Sequence, residues 1–148
     1  WRIGYVGGPE SLVSAMNKIQ SQSTSNPTSI AQVAAQAALE GKQDYIKKST
    51  KIFKQRHDFV LEKLNNLNGV NCEPCDGTFY IFPDFNEAMK TMDGIKNDIE
   101  LAEMFLEKSG VSMVPGSAFG APGYMRISFA TEMEVLEDAM KRLEATLG

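Results

Sequence analysis

Arg126 stands in the stretch GYMRISFA, Gly123 to Ala130, which reads as a buried β-strand. Strand alternation puts Met125, Ile127 and Phe129 on one face and Tyr124, Arg126, Ser128 and Ala130 on the other. A guanidinium keeps its proton and is seldom buried without an anion. Three environments answer that demand: water over a solvated sheet face, an internal carboxylate, or the carboxylate of a ligand. The preceding loop, Pro115-Gly116-Ser117-Ala118-Phe119-Gly120, is a shaped turn against a strand end, and such turns often line pockets.

Two further places carry groups suited to anions. Arg2, in WRIGY, sits between Trp1 and Ile3 and, by alternation, opposite their side. It can pair with an internal acid, or it can bind a phosphate with two parallel hydrogen bonds. Ser25-Asn26-Pro27-Thr28-Ser29 brings hydroxyls and free amides to a helix N-terminus, which favours negative charge. A plain helix cap has the same composition, so this segment alone does not separate cap from site.

Cys72 and Cys75 form C-x-x-C, a spacing shared by redox pairs and half-zinc sites. Zinc needs two more ligands, and the single histidine, His57, cannot complete a Cys/His set, so no metal site is expected. The pair lies beside a strand, not at a helix N-terminus where a thiolate is stabilised. Two reduced thiols in a cytoplasmic protein is the expectation. His57 falls on an apolar helix stripe, which suits a packed, hydrogen-bonded histidine.

The elements that must position these groups follow from periodicity. Residues 1–7 read as a strand, and Gly8-Pro9 opens a helix carrying Leu12, Val13, Met16 and Ile19. Residues 20–26 read as a polar loop. Asn26 as N-cap and Pro27 as first helical residue begin an alanine-rich helix whose Ala31, Ala34, Ala35 and Ala38 allow close approach of a helix or another subunit, with Gly41 past its end. The longest helix spans 42–67, about 35–40 Å, with Ile46, Phe53, His57, Val60, Leu64 and Leu67 on one stripe. Its length suits a connection between domains.

VNCEPCDGTFYIFPDF predicts a hairpin around Asp76-Gly77. A helix from Asp98 to Lys108 follows, capped by Asn97 or Asp98, with Leu101, Ala102, Phe105 and Leu106 inward and Gly110 ending it. VSMVPG is a short strand. Thr131 to Glu134 matches a capping box, and Val135, Leu136, Ala139, Met140, Leu143 and Leu147 supply the last helix's core face. From residue 42 on, the order of elements implies an α/β sandwich, with helices covering a small mixed sheet.

Apolar residues at 43%, charged residues at 23% and a net charge of −4 over 148 residues fit an ordinary globular domain. They argue against nucleic acid and anionic membrane as partners, both of which select clustered positive charge. No apolar run reaches the ~18–20 residues that span a bilayer. The chain opens on Trp1-Arg2 without a charged leader or methionine, and we expect it to be part of something longer.

Five stretches in order, WRIGYVGGP, SNPTSIAQ, GTFYIFPD, PGSAFGAPGYMRISFA and the alanine-rich helix, resemble the second half of class I, fold type I aminotransferases. The closest likeness is to the bacterial aspartate aminotransferase branch. The resemblance implies the cofactor pyridoxal 5'-phosphate (PLP), an amino acid and a 2-oxo acid as substrates, and a homodimeric parent. In such enzymes the Schiff-base lysine precedes a Gly-Trp-Arg, which places it upstream of Trp1. No catalytic residue is therefore assigned within this chain, and the chain alone is expected to be inactive and to bind little or no PLP. The resemblance gives Arg2 the cofactor phosphate and Arg126 the substrate α-carboxylate. Ser25 and Asn26 become second-tier candidates reaching the neighbouring subunit's site.

The implied domains are 1–41 as a remnant of the large PLP-binding domain, 42–67 as the interdomain helix and 68–148 as the small domain. One aspartate-specific branch carries an arginine where this sequence has Ser21. Dicarboxylate recognition must then come from residues upstream, while Phe79 and Tyr80 leave aromatic amino acids open. Another fold type I enzyme, such as a lyase acting at Cα or Cβ, uses the same scaffold, and a non-catalytic carboxylate-binding module is a third reading.

Overall fold

A computed structural model describes residues 2–147. Two compact units divide at Lys47. In the first, helices α1 (Glu10–Ser23) and α2 (Ser29–Glu40) are the regular elements among the described residues. The strand predicted over 1–7 is absent there: Arg2 to Pro9 form no ladder, and Trp1 lies outside the described residues. A strand exists only with a partner for its backbone donors and acceptors, and none is supplied here. Helix α1 runs through the expected polar loop to Ser23, where the Ser21 hydroxyl donates to the Lys18 carbonyl. Helix α2 has Thr28 at its N-cap position, two residues after the expected Asn26, and the Thr28 side chain makes no capping bond. Of the alanine face, Ala31 is buried and Ala35 half-buried, while Ala34 and Ala38 are exposed.

Helix α3 (Asp44–Asn65) spans about 33 Å. Its last three turns bury His57, Val60 and Leu64, whereas Ile46, near its start, is exposed. In the second unit these residues meet a three-stranded sheet of order β1-β3-β2, formed by Tyr80–Ile81, Met125–Ser128 and Val114–Pro115. Every named strand pair is antiparallel, so the expected mixed sheet is not formed among the described residues. The link from β2 to β3, about ten residues holding one short turn, is too short for a parallel crossover.

The expected hairpin survives as a single antiparallel bridge, Asn71 to Asp84, closed around residues 77 and 78. Asn71 and Asp84 exchange both backbone bonds, and the next residue, Cys72, turns its backbone N–H and carbonyl to the Asn65 side chain. Helix α4 (Asn86–Lys90) follows, a single turn that periodicity did not signal. Helix α5 (Asp98–Ser109) starts where Asn97 accepts from the Ile99 and Glu100 N–H groups, and it ends at left-handed Gly110.

Helix α6 (Met133–Leu147) buries Leu136, Met140 and Leu143. Val135, expected inward, is exposed, as is Leu106 on α5. Both lie a step of about 100° off the stripes that bury Leu136 and Phe105. The core packs Val60, Leu64, Phe85, Leu101, Phe105 and Leu143 against the inner sheet face of Met125, Ile127 and Phe129, each 5% exposed or less.

Candidate functional site: an arginine held between two aromatic rings

Alternation on β3 is realised as expected. Met125, Ile127 and Phe129 are buried, and Tyr124 and Arg126 stand half-buried on the opposite face. Because β3 is the central strand, Arg126 has a neighbour on each side. Val114 pairs with it on β2, and on the β1 side Tyr80 pairs with Ser128, one side-chain step along the same face.

The guanidinium is sandwiched. Its carbon lies 4.4 Å from the Tyr80 ring centroid and 4.6 Å from that of Phe119. Each such contact contributes about 0.5–1 kcal/mol where exposed and more when water is excluded. Both rings lie within cation–π range of the fork. Arg126 forms no ion pair among the described residues, so its donors are held in place but not neutralised.

Phe119 comes from the 3₁₀ turn Gly116–Phe119. The Gly116 N–H donates to the Tyr124 carbonyl at 2.7 Å, and Ala121 N–H returns to the Gly116 carbonyl at 3.0 Å. A Cβ at Gly116 would collide with the Ala121 and Tyr124 carbonyl oxygens, so glycine is required for the turn to close this tightly. Phe82 extends the aromatic row, stacked on Tyr124 at 5.2 Å and edge-on to Phe119 at 6.2 Å. Beside it, the charge of Asp84 raises the Tyr124 phenol above its ordinary range.

The other predicted residues belong to the first unit. Arg2 is exposed and forms no ion pair among the described residues. Arg2 and Ser25 adopt left-handed backbone conformations, with φ of 52° and 59°. Only one other non-glycine residue among those described does so, Thr78. Such conformations cost energy and concentrate at functional positions. Asn26 lines a groove of about 810 Å³ together with Tyr5, Pro27, Gln32, Ala35 and Leu39.

His57 and the cysteines behave as structural groups. His57 Nε2 accepts the Cys75 N–H at 3.2 Å, which leaves the proton on Nδ1 to donate to Asp58 at 3.0 Å. Lys54, and then His57, hold the Asp58 carboxyl below its usual range. Cys72 is buried, and burial pushes its thiol up to about 12. Among the described residues no cluster of three ligands suited to a metal occurs.

Sequence reasoning named Arg126 but not its two rings. Phe119 lies within the loop singled out, and Tyr80 enters the sequence reading only as leaving aromatic substrates open. The strand register that places Tyr80 beside Arg126 leaves no local signature.

A family model described as "Aminotransferase class I and II" matches residues 1–143. The aspartate/prephenate aminotransferase of Nitrosomonas europaea is 48% identical over 153 residues, covering 100% of this chain and 38% of that protein. The aspartate aminotransferase of Geobacillus stearothermophilus is 43% identical, covering 97% of the chain and 36% of that protein. The crystal structure of the aspartate aminotransferase from Rhizobium meliloti superposes with a TM-score of 0.84 at 41% identity, over 99% of this chain and 38% of that one. The chain thus spans a little over a third of the length of the curated relatives it matches.

Proposed function

Because the chain belongs to the class I and II aminotransferase family, we propose that it works as the C-terminal portion of a PLP-dependent aminotransferase in which Arg126 holds the substrate's α-carboxylate. The observation that carries this reading is the Arg126 fork, fixed between Tyr80 and Phe119 and without an ion pair among the described residues.

A planar fork can take both oxygens of a carboxylate and so set the plane in which the substrate lies. Orientation of this kind is where a positioning residue contributes most to rate, since a misplacement of about 1 Å costs about 10²-fold. Lysine offers a point charge without that plane. Arg2 fits the cofactor's phosphate by the chemistry of its donors, being exposed and without an ion pair among the described residues. PLP, when bound, supplies the electron sink for carbanion chemistry at Cα, and the protein supplies binding and orientation. Ser25 and Asn26 take supporting roles across a homodimer.

In this reading residues 1–41 belong to a large PLP-binding domain, 42–67 form the connecting helix and 68–148 the small domain. The amino donor is aspartate or an aromatic amino acid and the acceptor a 2-oxo acid such as 2-oxoglutarate. The name of the Nitrosomonas europaea relative, aspartate/prephenate aminotransferase, supports aspartate as the donor. Ser21 donates to the Lys18 carbonyl and offers no charge for a second carboxylate.

The test is made on the full-length protein. It is expected to show the visible absorption band of bound PLP and to transfer the amino group from aspartate to 2-oxoglutarate. Arg126→Lys is expected to lower kcat/KM about 10²-fold while keeping the band. Near-normal turnover of that variant contradicts the assignment of Arg126. A full-length protein without the band, binding carboxylates through Arg126 alone, is a non-catalytic module instead. Elimination in place of amino transfer marks a lyase.

A further inference from the structure

Asp98 is a buried carboxylate outside the site just described. It is 2% exposed and forms no ion pair among the described residues. Burial of an ionised group is costly unless its surroundings replace the lost water. Two features do so. Asp98 is the first residue of α5, where the unpaired N–H groups favour negative charge. Its Oδ2 also accepts the Ser117 N–H at 2.6 Å, across 19 residues of sequence. The helix does not need Asp98 as a cap, because Asn97 already accepts from both the Ile99 and Glu100 N–H groups. The Asp98 carboxylate is therefore free to make a tertiary contact.

That contact falls at a consequential place. Ser117 is the second residue of the 3₁₀ turn, and two residues later Phe119 lays its ring 4.6 Å from the Arg126 guanidinium carbon. The far end of the turn is fixed by the Gly120 N–H to the Ser117 carbonyl and by left-handed Gly120. The near end rests on the Gly116–Tyr124 bond and on Asp98. Remove Asp98, and the turn keeps its internal bonds but loses its hydrogen bond to α5. Phe119, half exposed, then has less to hold it over the guanidinium.

We infer that Asp98 is a positioning residue for the carboxylate site: by holding the Ser117 backbone it fixes the turn that presents Phe119 to Arg126. The inference rests on the reading of Arg126 as the carboxylate fork. It assigns Asp98 no contact with substrate.

The experiment compares Asp98→Asn, Asp98→Ala, Phe119→Ala and the two double variants in the full-length enzyme, with 2-oxoglutarate as the varied substrate. Asn keeps an acceptor of the same shape but gives up the charge-assisted bond, so KM is expected to rise about threefold. Ala removes the bond, and KM is expected to rise about tenfold. In both variants kcat stays within about twofold of the unaltered enzyme, since Arg126 and the cofactor contacts are intact. In the Phe119→Ala background either Asp98 substitution is expected to add less than about twofold, because the route through the ring is already cut.

Unchanged KM in Asp98→Asn and Asp98→Ala overturns the inference, and so do effects that multiply in full on Phe119→Ala. If Asp98→Ala does not fold, the isosteric Asp98→Asn, alone and combined with Phe119→Ala, decides between the same two outcomes. Arg126→Lys in the same assay separates the two levels. If that variant is also silent, the carboxylate reading fails; if it alone is impaired, only the role of Asp98 fails.

Discussion

Arg126 and Tyr80 stand on adjacent antiparallel strands, with the guanidinium carbon of one 4.4 Å from the ring centre of the other. The ring, not the hydroxyl, makes this contact. In the full-length enzyme Tyr80→Phe is therefore expected to leave the apparent affinity for 2-oxo acid within about twofold. Tyr80→Leu is expected to weaken it about three- to tenfold, the range of one partly screened cation–π contact. Steady-state KM values for the two variants check this. Equal losses in both would point to the hydroxyl instead.

The turn at Gly116 makes a stability prediction. A methyl group there meets two backbone oxygens, which cannot move aside as a side chain can. Gly116→Ala is expected to destabilise the fold by about 1–3 kcal/mol, the usual cost of overpacking. Gly77, whose added Cβ would meet nothing within 4 Å, is the control. Gly77→Ala should be neutral or stabilise by up to about 1 kcal/mol. Urea unfolding of the three proteins measures both.

The Cys72 thiol predicts an alkaline limit. Its ordinary value of 9.0 is raised to about 12 in the folded state, chiefly by burial. Above pH 9 the unfolded chain releases this proton while the folded chain keeps it. The contribution of Cys72 is thus fully present below pH 9 and is lost as pH rises from 9 towards 12. Denaturant titrations at pH 8 and pH 10.5 should show a smaller loss of stability for Cys72→Ala than for the unaltered chain. Parallel losses in the two proteins contradict the burial account. At neutral pH a thiol-disulfide reagent should modify Cys75 before Cys72.

Protection from hydrogen exchange should divide the chain. Unit one buries only Ala31 among its described hydrophobic residues, with Tyr5 81%, Ile19 72% and Ile30 66% exposed. Unit two has a continuous core of fully buried aliphatic and aromatic groups. In the isolated chain, amides in 2–41 are expected to exchange much faster than those of α3's last turns, α5 and β3. Uniform protection in a monomer would sink this expectation.

What could be read from sequence tracks how local each signal is. The β3 alternation was legible because MRISF carries its own period of two, and α5 because Asn97 and Gly110 mark its ends. The strand expected over 1–7 failed because strand formation needs a partner, which local sequence does not supply. The hairpin shrank to one bridge, Asn71 to Asp84, while the Cys72 backbone turns its groups to Asn65 on a different element. Helix α4 was missed because five residues are too few to display a period. The candidate site divides in the same way. Arg126 drew attention as a charge in an apolar strand, but Tyr80, Phe119 and Asp98 become relevant only through register and long-range hydrogen bonding.

The outer strand β2 consists of Val114 and Pro115. Proline has no amide hydrogen, so that margin of the sheet offers an incoming chain one donor at most. Extension of the sheet past β2, whether by a neighbouring molecule or by a growing fibril, finds almost nothing to grip there. The residue that leads into the Phe119 turn thus also blunts one of the two edges through which a small sheet aggregates.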